Sequence, residues 1–422
     1  MLRTHVSAGG STADLGDLRC VDAWSRCEAV LDVDCASLRR PPLTPSSTAG
    51  LRPLRLCLMS PESRVPHAHP LRGIKRIADA VLDEMSPLFD EMYARTGRPS
   101  VPPERLLKSM LLMALYTVRS ERQFCEQLDY NLLYRWFLGM SMVEDGFDAT
   151  TFSKNRERLM AHEVAQVFFH RVVDAARRAH LMSAEHFTVD GTLIEAWASL
   201  KSFKPKSEAA AERAEKNRRK AKRRRVHRAN GSGSSSNPMV NFRGQSRRND
   251  THESTTDPES RLMRKGKGKE AKLCFSAHAL MENRNGLLVD LRIAEASGTA
   301  ERRVALEMID HNLPGQRRIT LGADKGYHTR DFVDECRQRR VTPHVADKDK
   351  HSALDRRTTA QEGYSISQRI RKRIEEIFGW GKTVGAFRRT RFRRRRRTQL
   401  AAYVVGAAYN LVRMAKLIPI PG

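Results

Sequence analysis

Apolar residues recur through residues 66–180 at the spacing of buried helix faces, so this stretch is expected to be all-helical. Pro102, Pro103 and Glu104 form a helix entry. Leu107, Met110, Leu111, Ala114 and Leu115 then fall at i, i+3, i+4, i+7 and i+8, a single core-facing stripe. Ser120 and Asp129 are placed to cap two shorter helices, the second carrying Leu132, Leu133, Trp136 and Phe137. A further helix is expected after Asp148. It carries Lys154, Asn155, Arg156 and Arg158 on a polar segment that suits a groove-reading helix, or equally a solvated face.

From residue 186 the pattern changes to alternating strands and helices. Residues 186–190 read as a strand entering a turn at Gly191. Residues 272–281 and 287–293 alternate as two strands joined by Asn283, Arg284, Asn285 and Gly286, a hairpin signal. A helix over 299–312, a strand over 319–323, a helix over 329–339, a strand over 342–346 and a basic amphipathic helix over 367–382 follow. This order is that of an α/β, ribonuclease H-like catalytic domain, expected over 181–417, behind an all-helical N-terminal domain over 59–180. Residues 200–270 then form an insertion after the first strand. Residues 1–58 lack lysine and any sustained period. They read as disordered, or as an extension upstream of a true start at Met59.

Charge sharpens the picture. The 422 residues carry a net charge of +27, and it is concentrated: residues 201–272 hold a net +14 and residues 364–397 a net +11, which leaves +2 elsewhere. Such blocks fit a polyanion, most simply nucleic acid. Like charges this dense repel one another, so the insertion is expected to be disordered until it meets phosphate. No apolar run approaches the roughly 20 residues that cross a bilayer; the best, residues 401–412, contains Asn410. The N-terminus lacks the apolar segment of a secretory signal. Seven cysteines without zinc-type spacing fit a reduced cytosolic chain.

In so basic a chain, carboxylates beside strand ends are the informative residues. Asp190 follows the apolar Phe187-Thr188-Val189, and Asp324 follows residues 319–323 in the same way. Glu375 lies on the last basic helix with Arg371 and Lys382 on its face; Glu376 competes with it but can pair with Lys372. Each acid alone has a plain structural reading, as a turn residue, a cap or an ion-pair partner. Together, three carboxylates at close range require cations, and hard oxygen ligands select Mg²⁺ or Mn²⁺. Two such ions about 4 Å apart serve in-line phosphoryl transfer. His328 near Asp324 has no second soft ligand, so zinc is disfavoured.

Several separate motifs then carry a family resemblance. Phe187-Thr188-Val189-Asp190-Gly191-Thr192 with Ile194-Glu195-Ala196-Trp197, Thr255-Thr256-Asp257-Pro258, Arg264-Lys265-Gly266-Lys267, Gly322-Ala323-Asp324-Lys325-Gly326-Tyr327 and Arg373-Ile374-Glu375-Glu376-Ile377-Phe378-Gly379-Trp380 occur in one order. In them the chain, apart from its first 58 residues, resembles the DDE transposases of the IS-five family of bacterial insertion sequences. The resemblance implies Asp190, Asp324 and Glu375 as the catalytic, metal-binding triad of a Mg²⁺-dependent enzyme that cuts and joins double-stranded DNA at terminal inverted repeats. The family's signature around the last acid maps onto Arg371, Glu375 and Lys382, with Gln368 at its tyrosine position and Tyr364 nearby. Lys382, Arg371, Arg388 and Arg389, with Lys154 and Arg156 on the helical domain, are the expected DNA contacts. A homodimer or larger assembly in the cytoplasm, at the bacterial nucleoid, is implied. A catalytically inactive DNA-binding relic or a repressor of the element is the alternative.

Overall fold

In a computed structural model of the chain, the described residues are 60–92, 100–212, 214–215, 247–266, 269–313, 318–348 and 352–418. The expectations for residues 1–58, and for the centre of the basic insertion at 216–246, lie outside them.

The described chain opens with helices α1 (Pro61–Arg64), α2 (Leu71–Asp83), α3 (Ser86–Met92), α4 (Pro103–Leu115), α5 (Glu121–Tyr130), α6 (Leu132–Leu138), α7 (Ala149–Ala161) and α8 (Val164–Arg178). Pro103 starts α4, and its expected stripe is buried, with Leu107, Leu111 and Leu115 each 1% exposed. Ser120 caps α5 as expected, but α6 is capped by Asn131, whose side chain accepts from Tyr134 N at 3.2 Å, and not by Asp129. A cap must directly precede the first helical turn, and Asp129 is still inside α5.

Strand β1 (His186–Glu195) is longer than the sequence suggests. The Asp190-Gly191 pair is no turn, because the backbone runs straight on and pairs antiparallel with β5 (Ala271–Glu282) from Phe187 through Glu195. On its other side β1 pairs parallel with β7 (Ile319–Ala323), which pairs parallel with β8 (Val341–Val345). Both β6 (Leu288–Glu295) and β4 (Arg261–Arg264) join the far edge of β5, giving the order β6-β5-β1-β7-β8 with the last three parallel. Helices α9 (Ala300–Asn312) and α10 (Arg330–Gln338) provide the crossovers. This is a ribonuclease H-like fold. The expected hairpin is present, and its loop is organised by a residue the pattern did not single out. Glu282 is fully buried, and its carboxylate accepts from the backbone amides of Ser183, Arg284, Asn285 and Leu287 at 2.8–3.0 Å.

The flanks of the insertion are ordered, contrary to expectation. β2 (Phe203–Pro205) pairs with β3 (His252–Ser254), and Phe203, 1% exposed, stacks on His252. An aromatic and a strand pair bury enough to offset the local charge.

The last elements are α11 (Arg356–Thr359), α12 (Glu362–Ile370), α13 (Ile374–Thr383) and the long α14 (Arg395–Leu417). The expected helix over 367–382 is therefore broken: a 3₁₀ turn at Arg371–Arg373 separates α12 from α13. α14 packs against α2, α4, α8 and β6, joining the helical region to the sheet. Asp257 Oδ2 accepts from Arg394 N at 3.0 Å and Glu259 Oε2 from Arg395 N at 2.7 Å, so two acids satisfy the amides that open α14. No helix among the described residues is long and apolar enough to cross a membrane. Asn410, buried in α14, accepts from Leu288 N at 2.8 Å and donates to Leu288 O at 2.9 Å, so it stitches the helix to β6. Asn410→Leu strands both backbone groups and should destabilise the fold by about 2–4 kcal/mol in chemical denaturation. An unchanged midpoint would show that the two bonds carry no net stability.

Candidate active site

The parallel register of β1 and β7 sets the site. The two strands pair from His186–Thr320 to Thr188–Gly322, where the ladder ends. Two residues beyond that last pair stand Asp190 in β1 and Asp324 directly after β7. Because side chains alternate with period two, both occupy the same face at the open end of the parallel pair. Gly322 allows close packing here: a Cβ on it would stand 3.0 Å from Thr188 Oγ1 and 3.4 Å from Arg371 Cβ, so the turn bearing Arg371 can lie against the strand.

 Each aspartate spends one oxygen on a local amide: Asp190 Oδ1 accepts from Gly191 N at 2.7 Å, and Asp324 Oδ1 from Gly326 N at 2.8 Å, capping the 3₁₀ turn Lys325–Tyr327. The cap reading of Asp324 is thus correct as geometry, and it leaves the second oxygen of each carboxylate uncommitted.

A third acid, one that sequence reasoning missed, completes this cluster. Glu301, in the first turn of α9, lies against β1 where Gly191 has no side chain: a Cβ on Gly191 would stand 3.1 Å from Glu301 Cγ and 3.1 Å from His278 Nδ1. Burial pushes Asp190 up to about 6; the Gly191 amide opposes this, the charges of Asp324 and Glu301 add to it, and Arg371 pulls more weakly the other way. Burial and Asp324 likewise raise Glu301. His278 cannot neutralise them, because burial pushes its ring down to about 4. Tyr327 is fully buried, and its hydroxyl has no hydrogen-bond partner. An acid in a first helical turn looks like a dipole partner in sequence, which is why Glu301 gave no signal.

The expected third ligand is Glu375. It lies in the first turn of α13, exposed, with no hydrogen-bond or ion-pair partner among the described residues. Glu376 is occupied elsewhere: it pairs with Arg413 at 3.2 Å, and not with Lys372 as the spacing suggested. Gln368, at the tyrosine position, accepts from Arg371 Nε at 2.8 Å and donates to the His344 carbonyl, while Tyr364 donates to Val345 O at 2.9 Å. Gln368 therefore holds Arg371 beside Asp190. Lys382 is half-buried and donates to Thr192 Oγ1 at 2.5 Å, two residues along β1 from Asp190; burial, then Lys265 and Arg388, lower its pKa.

The other expected DNA contacts divide. Arg388 and Lys154 are exposed. Arg389 donates to the carbonyls of Ala196 and Trp197 at 3.1 and 2.9 Å. Arg156 pairs with Glu121 and lies over Phe392, and Asn155 is buried, so the polar segment of α7 does not present one common face. The arginine run beyond residue 390 is also partly spent inside: Arg391 donates to Arg119 O at 2.8 Å, Arg396 to Met160 O at 3.0 Å, and Arg397 pairs with Glu157 at 2.9 Å. Helix and loop carbonyls left unpaired by the fold attract these guanidinium groups, a demand that composition does not display.

The donor set fits a hard divalent cation: Asp190, Asp324 and Glu301 are oxygen donors near enough that the charge of Asp324 raises both Asp190 and Glu301. Among the described residues no three His, Cys, Asp or Glu side chains already converge as ligands of one ion. Both His328 nitrogens are engaged with backbone, at Ala346 O (3.0 Å) and Ala353 N (2.7 Å). Because the folded Asp190 pKa lies above its unfolded value, the folded state binds more protons between about pH 4 and 6, and its stability falls as pH rises through that window. Asp190→Asn should therefore raise the melting temperature of the metal-free protein at pH 7–8, with the gain shrinking below about pH 5. Parallel melting curves across pH would contradict the burial and crowding of this carboxylate.

Two family models match the chain: a transposase domain of the DUF772 type over residues 59–158 and a transposase DDE domain over residues 185–411. No curated protein matches. Among solved structures, the chain is similar to the piggyBac transposase in a synaptic complex with hairpin DNA, at 10% identity and a TM-score of 0.37, over 81% of this chain and 73% of that one. It is also similar to the Mos1 strand transfer complex, at 8% identity and a TM-score of 0.18, over 77% and 79% of the two chains. With the DDE model spanning more than half of its length, the chain belongs to the DDE transposases, enzymes of polynucleotidyl transfer.

Proposed function

We propose that this DDE transposase belongs to the IS-five family, binds the terminal inverted repeats of an insertion sequence, hydrolyses the phosphodiester at the element ends and joins the freed ends to target DNA. The observation that carries this reading is the placement of Asp190 and Asp324 in register at the open end of β1 and β7. Residues 59–180 would recognise the ends, and residues 181–417 would carry the chemistry, with 200–270 inserted after β1.

Asp190, Asp324 and Glu375 are the proposed triad, the two aspartates each offering a free oxygen and Glu375 an unpartnered carboxylate on the neighbouring helix. Bound Mg²⁺ or Mn²⁺, two ions in this reading, would activate the attacking oxygen and stabilise the leaving one. Arg371, fixed by Gln368, sits beside Asp190, where a guanidinium can hold a phosphate oxygen. Lys382 offers a second cation at Thr192, and exposed Arg388 and Lys154 extend the contact along the DNA backbone. Two element ends must be held together for joining, so a homodimer or larger assembly on DNA follows. Because Gln368 still positions Arg371, the departure from tyrosine leaves that position filled, and this favours an active enzyme over a DNA-binding relic.

A duplex carrying the element's own terminal repeats provides the test. Asp190→Asn and Asp324→Asn should lose cleavage in Mg²⁺ while still binding the duplex, and binding should weaken steeply as salt rises. Wild-type cutting by either variant would exclude these ligands.

A further inference from the structure

Glu301 is half-buried at the start of α9, although an acid in a first helical turn ordinarily faces water and gains only about 0.3–1 kcal/mol from the helix dipole. Here it is pressed inward. Its side chain occupies the space left by the missing Cβ of Gly191, directly after Asp190, and its Oε2 stands beside Gly326, whose amide is bonded to Asp324. Arg302 fixes this placement, because its guanidinium donates to Gly326 O at 3.1 Å and so ties α9 to the turn that follows Asp324. Glu301 is thereby set between the two aspartates by three elements of the fold.

An independent observation comes from Tyr327. Its ring packs on Phe332, it has no exposed surface, and its hydroxyl is unpartnered. After burial, the charges that weigh on that hydroxyl are, in order, Glu301, Asp190 and Asp324, the three acids of the cluster. A buried hydroxyl without a partner costs about 1–3 kcal/mol, a cost that a carboxylate brought within reach, or a water held by a cation, would remove.

We infer that Glu301 is a further cation ligand of the pocket formed by Asp190 and Asp324, and that Tyr327 positions it by donating its hydroxyl once the acids are drawn together. The inference rests on the proposed metal-holding role of the two aspartates. It adds a carboxylate from α9 to those from β1, β7 and α13. Glu301 is a hard oxygen donor beside the residues that adjoin both aspartates, and it fits the same class of divalent ion.

Mn²⁺ binding to the full-length protein, measured by calorimetry without DNA, tests this independently of catalysis. Glu301→Gln keeps the shape of the side chain and removes its charge. It should weaken Mn²⁺ binding by about tenfold or more, and Tyr327→Phe should weaken it by a smaller factor. Asp324→Asn serves as the reference and should also weaken binding. If Glu301→Gln binds Mn²⁺ like the wild type while Asp324→Asn does not, the inference is overturned and the aspartate reading stands. If Asp324→Asn also binds like the wild type, the aspartate reading itself fails. Thermal melting reports whether each variant folds. Should Glu301→Gln not fold, Glu301→Asp retracts the carboxylate by one methylene and should also weaken binding; wild-type affinity in that variant overturns the inference.

Discussion

Carboxylates crowded at the open end of a parallel strand pair repel one another, and that repulsion is the constraint around which the rest of the molecule is arranged. The ladder between β1 and β7 stops at Thr188 and Gly322, and the next side chains on the same face are Asp190 and Asp324. Folding alone does not relieve the cluster, since Asp190 is held up at about 6 and His278 remains neutral beside it. What the fold supplies is stiffness. β1 continues along β5 to Glu195, Arg302 fastens α9 to the turn after Asp324, and Gln368 fastens Arg371 beside the strands. A pocket held open in this way favours a divalent cation over a structural ion pair, because a single lysine or arginine would neutralise only one of its charges.

The positive charge of the chain performs two separate tasks. Part of it holds the fold together: Arg391, Arg396 and Arg397 reach back to the helical region, and Arg389 closes on the end of β1. Arg388 and Lys154, by contrast, are exposed. Net charge therefore overstates the contact surface for a polyanion. The acids Asp257 and Glu259 show the converse, since their carboxylates open α14 and have no part in the pocket.

Strand and helix order were legible in the sequence because buried strands and amphipathic helices impose periods on it. Asp190 and Asp324 stand out in the sequence for a related reason: each directly follows an apolar run. Other features have no local signature. Asp190-Gly191 reads as a turn, and only pairing with β5 keeps the strand straight. Glu301 resembles any acid at a helix start until α9 docks on Gly191. The break at Arg371–Arg373 contains neither proline nor glycine, so propensity does not mark it. Which arginines the fold engages depends on carbonyls contributed from residues more than 190 positions away.

The central claim is that Asp190 and Asp324 together collect a divalent cation. Anomalous diffraction from crystals of the full-length protein soaked in Mn²⁺ tests it most directly. The account predicts an anomalous peak within about 2.0–2.3 Å of an oxygen from each of the two carboxylates. A peak that avoids both, or an empty pocket at saturating Mn²⁺, would contradict it.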